Sequence, residues 1–345
     1  MDRPRSKRRR SKRRRTRRMF ITLFCVIIIL SGLFSGGLIY VKSLLGQAER
    51  VDLNTDDLGI VTTPPTTVSE NDDVQQEEVP AGPEVINFAL YGVDTRSTTD
   101  TTGNSDVIMI VSVDKTNNKI RLISIARDTY VAVEGYGSTK INHAFSYGGP
   151  TLAIKTLNQN FQMDIQDFVA VNFAQVAEII DYVGGVTVNV DSDERRVANQ
   201  YIAELNRIGI PCSEITQTGD VLLSGPQAVA YSRDRYNGND GARTGRQREV
   251  LMALYETAKK QPVTRYPGLV KLVLAQCSTS LTDSEMLELG IWAVTNNATI
   301  EQYSFPDGNV NSRGETINGM WCYVYDLDKA TEILHRFIYE DTLPE

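Results

Sequence analysis

Cysteine and histidine are scarce in this chain of 345 residues, which contains four cysteines and two histidines. Four cysteines are too few for a disulfide scaffold of this size, and two histidines argue against a His-rich metal site. Disorder along the whole chain is excluded as well, because 41% of the residues are apolar. Charge is absent from one stretch, residues 19–41, with the sequence MFITLFCVIIILSGLFSGGLIYV.

The uncharged stretch predicts a transmembrane helix. Roughly 20 residues of helix cross the hydrocarbon core of a bilayer, and this stretch has 23. It is longer than the apolar core of a signal peptide, and no clean cleavage site follows it. We therefore expect an uncleaved anchor at residues 19–41.

Positive charge is concentrated in residues 1–18, directly before the predicted anchor. This tail has twelve Lys and Arg against one acid, a net charge of +11; because the whole chain carries −7, the remainder carries −18. Positive residues mark the cytoplasmic side of an anchor, so we expect the tail in the cytoplasm and the chain after about residue 42 outside the cell membrane. Attraction to anionic membrane lipid accounts for such a tail, and no nucleic acid is expected as a partner.

Two segments follow the anchor. Residues 42–84 are rich in Thr, Pro and acids and lack periodicity, which predicts a disordered tether. Residues 85–345 have the length and apolar content of a globular domain with one large core, or with a core and a subdomain.

Strand and helix patterns alternate in the globular part. VINFALYG at 85–92 is a continuous apolar run that suits a buried strand, and the runs 106–114 and 119–126 flank a turn-forming Lys-Thr-Asn-Asn. FAQVAEIIDYVGG at 173–185 predicts a helix stopped by glycine. The alternation predicts an α/β fold with a central mixed sheet flanked by helices.

Polar residues stand where the first predicted strands meet their loops. Asp94 and Arg96 follow the first strand, Asp106 opens the second, and Arg127 follows the third. Ligands of α/β sheets bind beyond strand ends, and two carboxylates suit a hard divalent cation such as Mg²⁺ (or Mn²⁺). Asp94 and Asp106 are therefore candidate metal ligands. In the alternative, Asp94 caps a turn and Asp106 pairs with a nearby arginine.

A second polar cluster lies at 231–247, with the sequence YSRDRYNGNDGARTGRQ. Its cations are arginines without any lysine, and the planar guanidinium matches phosphate oxygens in a bidentate manner. Arg233 and Arg235 are two residues apart, so they point the same way in an extended chain. The alternative for this cluster is a solvated run of charge.

The end of this cluster has helical spacing. Arg243, Arg246 and Gln247 stand at i, i+3 and i+4, which places them on one helix face. Asp240 is positioned to cap that helix. Together with Arg127 from the sheet, the arginines suit a pyrophosphate and its metal.

These motifs resemble those of the LytR–CpsA–Psr family of wall-polymer ligases. The resemblance covers about residues 87–256, and residues 257–345 carry no motif that we can assign. One departure is Ala126, where the family usually has proline, which should loosen the turn without removing a ligand. The segments that carry the resemblance are GVDTR (92–96), SDVIMIVSVD (105–114), SIARDTYV (124–131), KINHAFSYGG (140–149), VNFAQVAEIIDYVGGVTVNV (171–190), LSGPQAVAYSRDR (223–235) and DGARTGRQREV (240–250).

The resemblance implies an extracellular phosphotransferase of the Gram-positive type. Such an enzyme moves an anionic glycopolymer from a polyprenyl-pyrophosphate carrier to a peptidoglycan hydroxyl, with the polyprenyl chain in an apolar tunnel between sheet and helices. Carried over by position, Mg²⁺ would be held by Asp94 and Asp106. The pyrophosphate residues would be Arg96, Arg127, Arg233, Arg235, Arg243 and Gln247. Candidate tunnel residues are Val169, Val171, Phe173, Val176 and Ile180.

The chemistry leaves two points open. Phosphoryl transfer needs charge neutralisation and positioning, for which Arg127 is the main candidate, but the base that activates the acceptor is Asp94, Asp106 or Asp240. The function itself has two alternatives. One is a pyrophosphatase that hydrolyses the lipid carrier without attachment, and the other is a non-enzymatic membrane-bound sensor or transcriptional regulator.

Overall fold

The computed structural model describes residues 49–60, 85–93, 103–207, 209–233 and 240–342. The predicted tail, the predicted anchor and residues 61–84 of the predicted tether lie outside these ranges. Among the described helices, none combines the length and the apolar character that crossing a membrane requires.

Strands and helices alternate along the described part of the chain. The strands are β1 (Glu49–Arg50), β2 (Val85–Val93), β3 (Ser105–Asp114), β4 (Lys119–Ile125), β5 (Tyr130–Val133), β6 (Gly137–Lys140), β7 (Asp167–Asn172), β8 (Val186–Val190), β9 (Gly219–Leu223), β10 (Ser278–Thr279), β11 (Thr299–Phe305), β12 (Arg313–Ile317) and β13 (Met320–Val324). The helices are α1 (His143–Phe161), α2 (Phe173–Val183), α3 (Ser192–Arg207), α4 (Gly225–Ser232), α5 (Asp240–Lys259), α6 (Tyr266–Gln276), α7 (Asp283–Thr295) and α8 (Leu327–Tyr339).

Seven of the strands form one mixed sheet in the order β1-β10-β7-β2-β3-β4-β11. The predicted hairpin is present, with β2, β3 and β4 antiparallel in sequence, whereas β7 is parallel to β2 and β11 is parallel to β4. The α/β class with a central mixed sheet is therefore confirmed. The run VTVNV forms β8 as predicted, but it pairs with β9 in a separate ribbon.

The two faces of the sheet differ in how completely they are covered. On one face, Ala89, Tyr91 and Ile123 are buried in a core that includes α1 and α8. On the other face, Phe88 and Leu90 are only partly buried, beneath side chains from α5 and α7. A further core joins α2, α3 and α4 to β8.

The predicted tether is wrong for residues 49–60, which belong to the folded domain. Strand β1 pairs with β10 at the sheet edge, and Leu58 is completely buried in the core beside α1. The side chain of Asn158 donates a hydrogen bond of 2.8 Å to the Leu58 carbonyl. A few apolar residues in this acidic stretch thus bury enough surface to hold it in place.

Helix α1 begins earlier than its sequence pattern indicates. The apolar spacing of Leu152, Ile154 and Leu157 predicts a helix only after Pro150, whereas the structure begins it at His143 and breaks it at Gly148 and Gly149. Gly149 has a φ of +62°, in the left-handed region that glycine tolerates. Pro150 then restarts the helix, because a first-turn position needs no amide hydrogen.

Candidate active site

The edge of the sheet at the start of β3 and the end of β4 holds the ion pair Asp106–Arg127. Because the two strands are antiparallel, their site residues lie at the same edge. The Nη1 atom of Arg127 is 2.5 Å from Oδ1 of Asp106, and the side chains are 18% and 9% exposed. The contact agrees with the alternative in which Asp106 pairs with a nearby arginine, and metal binding stays a prediction.

A lysine that was not singled out from the sequence joins this pair. Lys140 Nζ lies 2.7 Å from Oδ1 of Asp128, whose Oδ2 is 3.5 Å from Nε of Arg127. The β5–β6 hairpin brings Lys140 to this place, since Tyr130 pairs with Lys140 across the ribbon. The segment KINHAFSYGG contained the signal, because its first residue is a cation.

The turn at Ala126 is held by backbone and side-chain hydrogen bonds, contrary to the expectation that it would be loose. Its amide donates a hydrogen bond of 2.8 Å to the carbonyl of Phe305, which a proline could not do. Its carbonyl accepts bonds from the amide and the hydroxyl of Thr129, at 3.0 and 2.7 Å. Arg127 therefore leaves the sheet from a fixed backbone.

His143 lies behind this edge as a structural group. Its Nδ1 is 2.9 Å from the hydroxyl of Thr139, and its ring is 5.7 Å from that of Tyr147. Burial lowers the pKa of His143, the charge of Lys140 lowers it further, and Asp128 opposes them. The imidazole is accordingly neutral at pH 7.

The first turns of α5 carry buried polar side chains on one face. Arg243, Arg246 and Gln247 are 2%, 6% and 7% exposed, which fits the spacing noted in the sequence and not a solvated run of charge. Arg246 Nη1 lies 3.4 Å from Oε1 of Glu194, so this arginine has a partner on α3.

Helix α5 lies over the same sheet that carries the ion pair at its edge. The Nε atom of Arg248 donates to Oε1 of Gln302 in β11 at 3.0 Å, and Gln302 stands opposite Leu122 of β4. Burial lowers the pKa of Arg248. Since Gln247 precedes Arg248 directly, this contact ties the polar turn of α5 to the sheet.

Arg233 stands at the C-terminal end of α4. Its guanidinium lies over the rings of Phe173 and Tyr201, at 5.2 and 5.6 Å from their centroids. Cation–π contacts hold a planar guanidinium in a fixed orientation. Phe173, a predicted tunnel residue, thus supports a predicted phosphate residue.

The half-buried face of the sheet provides an apolar surface next to these groups. Phe88 and Leu90 of β2 pack there against the same buried cluster of β3 and β4 as Met252 of α5 and Trp292 of α7. Val169 stands opposite Leu90 in register, so it shares this face, and Val171 follows two residues later. A tunnel role was not predicted from the sequence for the three half-buried residues of β2 on this face. Their position at every second residue of the strand was the available signal. These residues are Ile86, Phe88 and Leu90.

Ile180 does not belong to this surface. It is completely buried among side chains of β8, α3 and α4, and Val176 packs against the same cluster. Ile180 therefore lies in a different cluster from Phe88 and Leu90, and its assignment to the tunnel stays a prediction.

Four predicted site residues cannot be placed. Asp94 and Arg96 fall within residues 94–102, and Arg235 falls within 234–239, both outside the described residues. Asp240 begins α5, but its side chain is not described. No group of three metal-ligating side chains occurs within the described ranges. Of the two predicted metal ligands, Asp106 is the one that the structure describes. Its carboxylate oxygens are of the kind that hard cations take, so this residue fits a divalent cation.

Comparison with known proteins identifies the class. The model of the LytR_cpsA_psr family matches residues 61–338. The chain belongs to this family, which confirms the resemblance and the expectation of a transferase.

Individual relatives agree with the family match. A protein of Oceanobacillus iheyensis named polyisoprenyl-teichoic acid–peptidoglycan teichoic acid transferase TagU is 27% identical over 321 residues, which cover 89% of this chain and 90% of that protein. The crystal structure of TagT from B. subtilis has a TM-score of 0.58 at 22% identity and covers 76% of this chain and 95% of TagT. A structure of YwtF (TagT) with bound octaprenyl pyrophosphate lipid has a TM-score of 0.55 at 22% identity, covering 76% and 94%.

Proposed function

We propose that this protein transfers an anionic glycopolymer from a polyprenyl-pyrophosphate carrier to a hydroxyl of peptidoglycan, with Mg²⁺ as cofactor. The observation that carries the proposal is the position of the Asp106–Arg127 pair at the sheet edge. The buried polar turn of α5 and a half-buried apolar face belong to the same sheet. A pyrophosphate needs the cations, and a polyprenyl chain needs the apolar face.

The reaction is a single displacement at phosphorus. The acceptor hydroxyl forms a new bond to the phosphorus that carries the glycan, and the bond from that phosphorus to the lipid phosphate breaks. The products are a phosphodiester and a polyprenyl phosphate, and the hydroxyl proton passes to a carboxylate. Asp94, Asp106 and Asp240 remain the candidates for that base, and a bound Mg²⁺ would neutralise phosphate charge.

Arg127 and Arg233 neutralise the charge that develops on the phosphate oxygens. Each is held in one orientation before substrate arrives, Arg127 by Asp106 and Arg233 by the rings of Phe173 and Tyr201. Preorganised donors lower the barrier because they need no rearrangement during the reaction. Removing one such donor typically costs a factor of about 10²–10³ in rate.

The test uses the full-length chain in detergent with a labelled lipid-linked polymer, with and without peptidoglycan. Arg127→Ala and Arg233→Ala should lose transfer about 10²-fold or more and keep the folded circular dichroism spectrum. The matched control is Arg196→Ala, which removes an exposed arginine from α3. Near-normal transfer by both site variants would refute the proposal, and release of lipid phosphate without attachment would indicate the pyrophosphatase instead.

The predicted location belongs to the same proposal. A basic tail at 1–18 and an anchor at 19–41 would hold the domain at the outer face of the membrane, where both substrates are found. Protease added to intact cells should digest the domain and spare the tail, and the reverse pattern would refute this orientation.

A further inference from the structure

The β12–β13 hairpin presents two aromatic rings on one face. Trp321 is 45% exposed, and its ring centroid lies 4.6 Å from that of Tyr323, with the planes at 74°. Cys322, between them, is buried on the opposite face. A Cβ added to Gly314 would lie 2.9 Å from the Trp321 ring, so the indole rests against bare backbone. The hairpin therefore offers one exposed aromatic ring, Trp321, with the half-buried ring of Tyr323 beside it.

The aromatic face adjoins the candidate active site. The amide of Tyr323 donates a hydrogen bond of 2.8 Å to the carbonyl of Asp128, the residue after Arg127. Trp321 is two residues, or about 7 Å of extended strand, from that contact. Burial raises the pKa of the Cys322 thiol, and the charges of Lys140, Asp128 and Glu315 also act on it.

The hairpin and the apolar face lie on opposite sides of the sheet. Tyr323 packs against the core that includes α1 and α8, whereas Phe88 and Leu90 face α5 and α7. In phosphoryl transfer, the attacking and leaving oxygens are roughly in line through phosphorus. If the leaving lipid phosphate lies toward the apolar face, the attacking hydroxyl arrives from the side of the hairpin.

The charge of the hairpin also selects its ligand. The aromatic face itself is uncharged, because Trp321 and Tyr323 stand opposite Thr316 and Gly314, whereas Arg313 and Glu315 pair with each other at 3.1 Å on the other face. A polyanionic donor polymer requires cations, whereas a pyranose ring presents an apolar C–H face that matches an aromatic ring.

We infer that the aromatic face of the β12–β13 hairpin, formed by Trp321 and Tyr323, binds the glycan strand of the peptidoglycan acceptor. A sugar ring stacks on Trp321, and this directs the acceptor hydroxyl toward the phosphate at Arg127. The inference rests on the proposed function for the identity of the acceptor. It gives a role to residues of the C-terminal region, which carried no recognisable motif.

The test measures glycan binding directly, by calorimetry on the full-length chain in detergent, with soluble peptide-free glycan strands as the probe. Trp321→Ala should weaken binding about tenfold, equivalent to ~1.4 kcal/mol, and Trp321→Phe should retain most of it. The control that should bind like wild type is Leu222→Ala, which alters a 63% exposed apolar residue elsewhere.

The outcomes separate this inference from the proposed function. If the wild-type protein binds glycan through Trp321 but has no transferase activity, the inference is supported and the proposed function is refuted. Unchanged glycan affinity and unchanged acceptor KM in Trp321→Ala, with normal transfer, overturn the inference alone. It is also overturned if wild type binds no glycan, or if Trp321→Ala instead loses affinity for the lipid-linked donor.

Discussion

Arg121 of β4 is completely buried and holds the far end of the β3–β4 hairpin, whose other end carries Asp106 and Arg127. Its Nη1 lies 3.1 Å from Oδ2 of Asp114, and its Nη2 lies 2.7 Å from Oδ1 of Asp341. Arg121→Met keeps most of the volume of the side chain and removes its charge. We predict a large loss of stability with little change in the KM for the lipid-linked donor.

The magnitude follows from the burial of Asp114, which is 1% exposed. Removing one partner of a buried ion pair leaves an uncompensated charge and costs about 3–5 kcal/mol. For a domain of this size, 1 kcal/mol shifts Tm by about 2–4 °C. We therefore expect Arg121→Met to lower Tm at pH 7 by about 10 °C.

The loss should depend on pH in a defined direction. Burial alone raises the pKa of Asp114, but hydrogen bonds from Asn117 and Arg121 together with the guanidinium charge hold that pKa below its ordinary value. In wild type, the resulting stability is present above the unfolded pKa and is lost as pH falls through the folded pKa. Without Arg121 the folded pKa rises, so the gap between the two proteins should be largest at pH 7 and narrow below about pH 4.

Thermal unfolding followed by circular dichroism at pH 7 and at about pH 3 measures both effects. The matched control is Arg313→Met, since Arg313 forms an exposed ion pair with Glu315 on β12. Such surface pairs are worth about 0–1 kcal/mol. The reasoning is refuted if Arg121→Met behaves like this control, or if its loss is the same at both pH values.

Three further predictions follow from close contacts and burial. A Cβ at Gly225 would lie 2.0 Å from the carbonyl oxygen of Ala177, so Gly225→Ala should separate α2 from α4 and lower the free energy of unfolding by about 1–3 kcal/mol, as urea titration would show. Lys140→Ala should weaken the binding of lipid-linked pyrophosphate about tenfold, measured by calorimetry, and should also lower Tm, because it removes the closest cation from the buried Asp128 carboxylate. Burial raises the pKa of Cys277 to about 12 and raises that of Cys322, so iodoacetamide at pH 8 should label neither thiol until the protein is unfolded, as mass spectrometry would report.

Short-range patterns in the sequence predicted the elements whose geometry is decided locally. The apolar run of β2, the β3–β4 hairpin and α2 with its final glycines were all visible, because alternation, turn residues and helix stops act over a few residues. The spacing of Arg243 and Gln247 likewise indicated one helix face, and the structure buries both side chains.

Features that depend on distant partners were not visible. β10 has only two residues and exists because Ser278 and Thr279 pair with β7. Lys140 reaches Asp128 only after the β5–β6 ribbon folds back. The β12–β13 hairpin did have a local signal in Asn318 and Gly319, whose φ values of 52° and 78° fit a tight hairpin turn. Its position beside Asp128 follows from tertiary packing alone.

The docking of residues 49–60 decides where this protein can be shortened. A soluble fragment that begins at residue 85, where the apolar pattern starts, would lack β1 and leave a cavity at the site of Leu58. It would also remove the Leu58 carbonyl, which accepts a hydrogen bond from the Asn158 side chain. The cavity and the lost hydrogen bond together cost several kcal/mol. A fragment intended for crystallisation or assay should therefore begin ahead of Glu49, so that β1 and Leu58 are retained.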